Sequence, residues 1–367
     1  MMNDLDLESL VGKRPSPEGR DLFQRPTSSR GSAPGYFFRG RKIGQEGIAL
    51  LTVVWVLMVL MVIVFSFSFM ARTETLSSLA FKEGMEKRFL AEAGVERGIM
   101  ELFFRKTNLN ASLPEDLAVW KIDGRPYEGR VGEGNYRVRI FDESGKLDLN
   151  TAPERLLRAL IRSLVSQETE ADSIMDSIQD WRDGDDLHRL LGAESDYYQS
   201  LPQPYKAKNA DFETLEELSL VKGVTKELLY GENNRKGLMD YLTVQGRTNR
   251  INVNAAPREV LLIIPGMTAA MVEEILAFRE KQEIKNLQEI GGSVVGSQSL
   301  IQPYVTTAQG TAFAIESLGF KEKARSGYAV KAVVSLTANN QYNTLYFKTA
   351  VTIRENGSTR EQSTNGS

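Results

Sequence analysis

Between Ile48 and Ala71 the chain carries no charged residue, and Ile, Leu, Val, Met, Phe and Trp dominate. At ~1.5 Å per residue this run makes about 36 Å of helix, enough to cross a hydrocarbon core ~30 Å thick with some tilt. A secretory signal has a shorter apolar core of ~7–15 residues behind a short leader, and both lengths are wrong here. Arg39, Arg41 and Lys42 precede the run, whereas a lone Arg72 followed by Glu74 opens its far side. The positive-inside bias therefore predicts a single pass with the N-terminus cytoplasmic and the bulk outside.

Composition narrows what that bulk can do. The 367 residues suffice for one or two sizeable cores. With 45 basic against 48 acidic residues, the whole chain offers no field for holding a polyanion. There is no cysteine, which excludes disulfides, thiolate metal sites and a cysteine nucleophile. The single histidine, His188, lies beside Asp185, Asp186 and Arg189 and reads as solvated. Histidine-based triads therefore lack their base, and a pair of catalytic carboxylates would need a cleft that no feature of the sequence indicates. The expectation is a protein that is not an enzyme.

The junction ahead of the apolar run reads Gly44-Gln45-Glu46-Gly47-Ile48-Ala49-Leu50-Leu51. A glycine at the last polar position, with the apolar run starting on the next residue, resembles a type IV prepilin processing site. The resemblance implies that a prepilin peptidase cuts between Gly47 and Ile48 on the cytoplasmic side. Residues 1–47, polar and holding Pro15, Pro17, Pro26 and Pro34, then form a disposable, disordered leader. Major pilins carry glutamate at the fifth mature position. Here it is Thr52, which removes a carboxylate that would need a partner in hydrocarbon. Within this family the absence marks the K-type minor pseudopilin of type II secretion.

After Arg72, the residues Leu76, Leu79, Ala80, Phe89, Ala93, Ile99, Met100 and Phe103 recur mostly at spacings of three and four, predicting an amphipathic helix that continues outward. Its stretch from Phe89 to Glu96 resembles the K-type helical block whose small residues let the helix lie close to a sheet; a plain surface helix is the alternative. Tyr136-Arg137-Val138-Arg139-Ile140 alternates as a half-buried strand does. Tyr328, Val330, Ala332, Val334 and Leu336 form one face of another, Asn339-Asn340 mark a turn, and Leu345, Phe347, Val351 and Ile353 line a third. About 170 residues between these pieces form an insertion.

Within the insertion Leu147-Asp148-Leu149-Asn150-Thr151-Ala152-Pro153 is echoed by Ile251-Asn252-Val253-Asn254-Ala255-Ala256-Pro257. Each echo predicts a short strand running into a helix, with the asparagine acting near the helix N-terminus and proline in its first turn. Ile263-Ile264-Pro265-Gly266-Met267 between helical stretches resembles a helix-hairpin-helix, and Leu220-Val221-Lys222-Gly223-Val224 is a weaker version. Such hairpins can present backbone N–H groups to phosphate. However, residues 150–309 hold 24 acidic and 17 basic side chains, which favours packing over nucleic-acid binding.

Asp180-Trp181-Arg182-Asp183-Gly184-Asp185-Asp186 and Gly192-Ala193-Glu194-Ser195-Asp196 crowd carboxylates together. That density suits either a solvated face or a calcium loop, in which Gly184 would allow the sharp turn. The run from Asp180 through Tyr198, then Pro204–Asn209 and Phe212–Leu218, is similar to the core of K-type pseudopilins, a family that binds calcium in its helical domain. That resemblance makes Asp180, Asp183, Asp185, Glu194 and Asp196 the candidate ligands.

The resemblance covers Gly47 to about Arg354, with its parts in the family's order. It implies an α+β fold: a pilin-like long N-terminal helix on a small antiparallel sheet, with a large inserted all-α domain containing helix-hairpin-helix-like repeats. The expected parts are a leader (1–47), a membrane segment (48–71), a helix and first strands (72–148), an inserted helical domain in two related halves (149–310), C-terminal strands (311–355) and a disordered tail (356–367). Implied partners are the I-type and J-type minor pseudopilins, the prepilin peptidase, the inner-membrane assembly platform and the membrane, with no nucleic acid. The implied location is the bacterial inner membrane with the bulk periplasmic, and the implied role is a tip subunit that helps initiate a pseudopilus for export across the outer membrane. A membrane-anchored DNA-uptake receptor, a type IV pilus minor pilin and an anchored calcium-binding module are the alternatives.

Overall fold

The computed structural model describes residues 45–108, 119–233, 235–291, 294, 296–321, 327–337 and 339–352. The leader up to residue 44, Ile353 and the tail lie outside the described residues. The chain divides into two compact units, 1–71 and 72–367. In the first, helix α1 (Gln45–Asn108) begins, and every side chain from Ile48 to Ala71 is exposed. It is one helix long and apolar enough to cross a membrane.

In the second unit α1 lies on a five-stranded antiparallel sheet. The strands are β1 (Asp123–Val131), β2 (Gly134–Asp142), β7 (Ala312–Phe320), β8 (Tyr328–Leu336) and β9 (Tyr342–Thr349), in the order β1-β2-β7-β8-β9. The predicted faces of β2 and β8 hold: Tyr136, Val138, Ile140, Val330, Ala332 and Val334 share one core with Ala91, Val95, Ile99 and Leu102 of α1. The helix face differs from the expected one, because Leu76, Leu79, Phe89 and Met100 point outward.

Small residues, not large ones, make the closest approach. A Cβ on Gly94 would sit 2.2 Å from Ser317 Oγ, and one on Gly98 would sit 3.0 Å from Ile315. From the sheet side, a Cβ on Gly319 would meet the Lys87 carbonyl at 2.1 Å. Strand β7 escaped the alternation pattern because Ala312, Phe313, Ala314 and Ile315 are all buried; covered on both faces, a strand reads as a continuous apolar run. The β8–β9 register shifts at Val333/Val334 of β8; in β9 Phe347 is exposed, and Val351 lies past the strand end.

The chain leaves the sheet after Asp142 and returns at Ala312. Asp142 marks the junction: it accepts hydrogen bonds from Ser144 N and Oγ, Asn252 Nδ2 and Gly310 N. Its burial pushes the carboxyl above the usual range, against the pull of those donors.

The regular structure of the insertion is mainly helical but not all-α, since it also holds two parallel strand pairs. These are β3 (Leu147–Asp148) with β4 (Leu242–Thr243) and β5 (Ile251–Asn252) with β6 (Val305–Thr306). Two-residue strands are too short for alternation to reveal.

The two echoes share an element order and a set of bonds. After β3 come helices α2 (Glu154–Leu164) and α3 (Glu168–Arg182); after β5 come the helices Arg258–Leu262 and Ala269–Lys281. Leu149 N donates to Thr243 O at 2.8 Å and Val253 N to Thr306 O at 3.0 Å. Neither asparagine caps a helix, because the N-cap residues are Pro153 and Pro257. Instead Asn150 exchanges two bonds with the backbone of Phe212, and Asn254 does the same with Ile284. Arg182 Nη1 donates to the carbonyls of Leu149 and Asn150, as Arg279 Nη1 does to those of Val253 and Ala256. The two segments differ in length after that arginine: Arg182 to Phe212 takes residues 183–211, whereas Arg279 to Ile284 takes 280–283.

Candidate metal centre

The acidic loop occupies that longer step. Helix α3 ends at Arg182 and delivers Asp180, Trp181 and Asp183; a five-residue helix α4 (Ser195–Gln199) follows on the far side. Aromatic packing joins the two ends. Trp181 meets Tyr198 edge-on at 5.2 Å, and Tyr198 stacks on Tyr205 at 5.2 Å. A Cβ on Gly192 would sit 1.9 Å from Asp180 Oδ2, so any larger residue there would have to push the Asp180 carboxylate aside.

The five predicted carboxylates separate. One oxygen from each of Asp183, Asp185 and Glu194 lies within 4.8 Å of the other two, the one such group among the described residues. Asp180, fully buried, accepts from Arg189 N at 3.2 Å and from Arg189 Nη1 at 2.7 Å. Its negative charge is therefore answered inside the protein. Asp196 pairs with His188 Nε2 at 2.9 Å, and that partner holds its carboxyl below the usual range. His188 is accordingly exposed but not solitary.

The cluster fits a hard cation on its own chemistry. Glu194 is 1% exposed, yet neither of its oxygens has a hydrogen-bond partner. Burial, with Asp180, Asp183 and Asp186 nearby, pushes its carboxyl up to about 7, while His188 opposes this. Asp183 Oδ2 is held by Arg189 Nη1, whereas its Oδ1 is buried without a partner. Buried acceptors in this state are unfavourable unless a donor or cation meets them. Oxygen-only ligands in a flexible loop match calcium better than softer metals. The sequence reading missed Asn209, whose Oδ1 is also buried and unpartnered; the one available signal was asparagine's tolerance of positive φ, here +49°.

At the other predicted positions, α1 runs helically through Gly47 and Ile48, and Thr52 Oγ1 donates to Ala49 O at 2.9 Å.

The family described as "Type II secretion system (T2SS), protein K" matches residues 138–231, from β2 through the acidic loop. A type II secretion system protein K of Aeromonas hydrophila is 30% identical over 200 residues, covering 50% of this chain and 60% of that protein. One from Pectobacterium carotovorum is 26% identical over 29% of this chain and 34% of its own length. The Pseudomonas aeruginosa protein K is 26% identical over 68% of this chain and 78% of its own. The chain thus spans about a third to three-fifths of the first two relatives and more of the third. The solved GspK-GspI-GspJ complex of the enterotoxigenic Escherichia coli type 2 secretion system contains a chain of similar fold. The TM-score is 0.51 at 16% identity, over 76% of this chain and all of that one. With the matched segment centred on the acidic loop and the helix-on-sheet fold shared, the chain is similar to type II secretion system protein K.

Proposed function

We propose that the protein is a non-enzymatic minor pseudopilin that sits at the tip of a periplasmic pseudopilus and helps initiate its assembly for protein export. The observation that carries this reading is α1 itself. One helix runs from an uncharged stretch with every side chain exposed to a glycine-faced segment set against the sheet. A helix so exposed needs lipid or other helices around it. In the inner membrane it has lipid; in a filament it has the helices of neighbours, for which I-type and J-type minor pseudopilins are the candidates. Thr52 in place of a carboxylate removes a charge that a subunit with no neighbour beyond it would leave unpaired. A prepilin peptidase cutting after Gly47 would first have to unwind the opening turn of α1, and glycine lowers the cost of doing so.

The insertion would be the tip's periplasmic bulk, its helical turns the helix-hairpin-helix-like repeats, and the acidic loop a calcium site held by Asp183, Asp185 and Glu194. Calcium would supply charge neutralisation and loop order there. The match of residues 138–231 to protein K does not favour DNA uptake.

The test is intact mass and N-terminal sequencing of the protein from its native membrane, followed by co-purification with I-type and J-type partners. A mature chain beginning at Ile48 and a stable ternary complex are expected. Retention of residues 1–47, or no association, would remove the pseudopilin reading.

A further inference from the structure

Among the large apolar side chains described beyond α1, Leu190 is the most exposed at 95%, and Leu187 follows at 76%. Neither belongs to the core of the insertion. A single leucine in water is ordinary, but these two stand three residues apart on backbone that is pinned on both sides. Leu187 N donates to Asp185 Oδ1 at 2.9 Å, and Arg189 N donates to Asp180 Oδ2 at 3.2 Å. Past Leu190, Leu191 N donates to Asp176 Oδ2 at 3.3 Å and Leu191 O accepts from Ser173 Oγ at 2.9 Å. Lys222 Nζ adds bonds to the Leu191 and Gly192 carbonyls at 3.2 and 3.0 Å. Ser173, Asp176 and Asp180 all lie on α3, so the folded insertion holds both leucines out in water.

Apolar groups presented on a fixed turn lose little freedom on binding, and the charge around them selects what they can enter. Residues 183–196 carry five carboxyl groups, on Asp183, Asp185, Asp186, Glu194 and Asp196, against one arginine, Arg189. That guanidinium is already taken up by Asp180 and Asp183. Asp185 and Asp186 are exposed, and the Asp196 side chain is 75% exposed. A divalent cation at the acidic cluster would still leave the stretch negative. Anionic lipid headgroups would be repelled by such a surface, whereas lysine and arginine would be drawn to it. We propose that Leu187 and Leu190 form an apolar knob that docks into a pocket on another protein, apolar inside and rimmed by lysine or arginine. Docking of this kind is independent of how α1 is processed or assembled.

Photo-crosslinking of the full chain in isolated envelopes of its native host tests this. One variant carries p-benzoylphenylalanine in place of Leu190; a control carries it in place of Leu300, another exposed leucine (61%). The expected result is a protein adduct from position 190 and not from 300, with the cross-linked peptide apolar and flanked by lysine or arginine. Adding Leu187→Ser should lower the adduct yield about tenfold, and raising salt from about 50 to about 500 mM should lower it further. The double variant Leu187→Ser, Leu190→Ser should melt within a few degrees of wild type in micelles, since neither side chain is in the core. An adduct to lipid or to a second copy of this chain would overturn the proposal, as would an acidic partner peptide, equal adducts from both positions or none from 190. A large loss of melting temperature in the double variant would also overturn it, by placing the leucines in the fold.

Discussion

A carboxylate as buried as Glu194, with no donor at either oxygen, is stable in two ways: protonated, or facing a cation. With its pKa pushed up to about 7 and an unfolded value near 4.3, the folded metal-free protein holds the proton more tightly than the unfolded chain. Its contribution to stability is then complete below about pH 4.3 and is lost as pH rises through 7. A calcium ion held there, as proposed, would reverse the preference, because the ion needs the carboxylate. Its Kd should weaken ~10-fold between pH 8 and pH 6, as calorimetric titrations at the two values would show. Glu194→Gln should remove this pH dependence and raise the metal-free melting temperature at pH 8. The sequence crowded five acids into this loop without ranking them. Asp180 pairs with Arg189 and Asp196 with His188, pairings set by how the loop folds back on α3.

Between elements, contacts are set by what is missing as much as by what is present. Gly319 on β7 lies under α1, and an added Cβ would meet the Lys87 carbonyl at 2.1 Å and the Ala91 amide nitrogen at 2.5 Å. Backbone atoms on a helix cannot rotate away, so Gly319→Ala should destabilise the folded unit by about 1–3 kcal/mol in denaturant titrations. Gly132→Ala, in open space but at positive φ, would separate strain from collision by costing less. The twin asparagines carry a parallel expectation: Asn150→Ala and Asn254→Ala should each cost about 1–3 kcal/mol, because each strands a backbone N–H and C=O of a distant segment. The echo itself was visible because the string Asn-x-Ala-Pro is local and recurs. Its bonding was not, because the partners of Asn150 and Asn254 lie 62 and 30 residues downstream and local pattern carries no such information. The helix face was misread for a related reason: periodicity weights bulky apolar residues, whereas Ala91, Gly94 and Gly98 make the contact.

At the scale of the whole chain, the apolar residues that fold the protein and those that would anchor it are different sets. Both hydrophobic cores lie beyond the anchor: the sheet core starts at Ala91 and the insertion core at Leu147. None of the residues from Ile48 to Ala71 is buried. Removing residues 1–71 should therefore leave the folding free energy of the remainder almost unchanged while abolishing its affinity for lipid. The polypeptide 72–367 is expected to be water-soluble and to unfold within a few degrees of the full chain in micelles. It should float with liposomes no better than a soluble control, whereas the full chain floats with them. A large loss of melting temperature on truncation would mean that the apolar stretch belongs to the fold. Exposure of every side chain in that stretch would then have to be explained by a partner present in the full chain's own assembly, not by lipid.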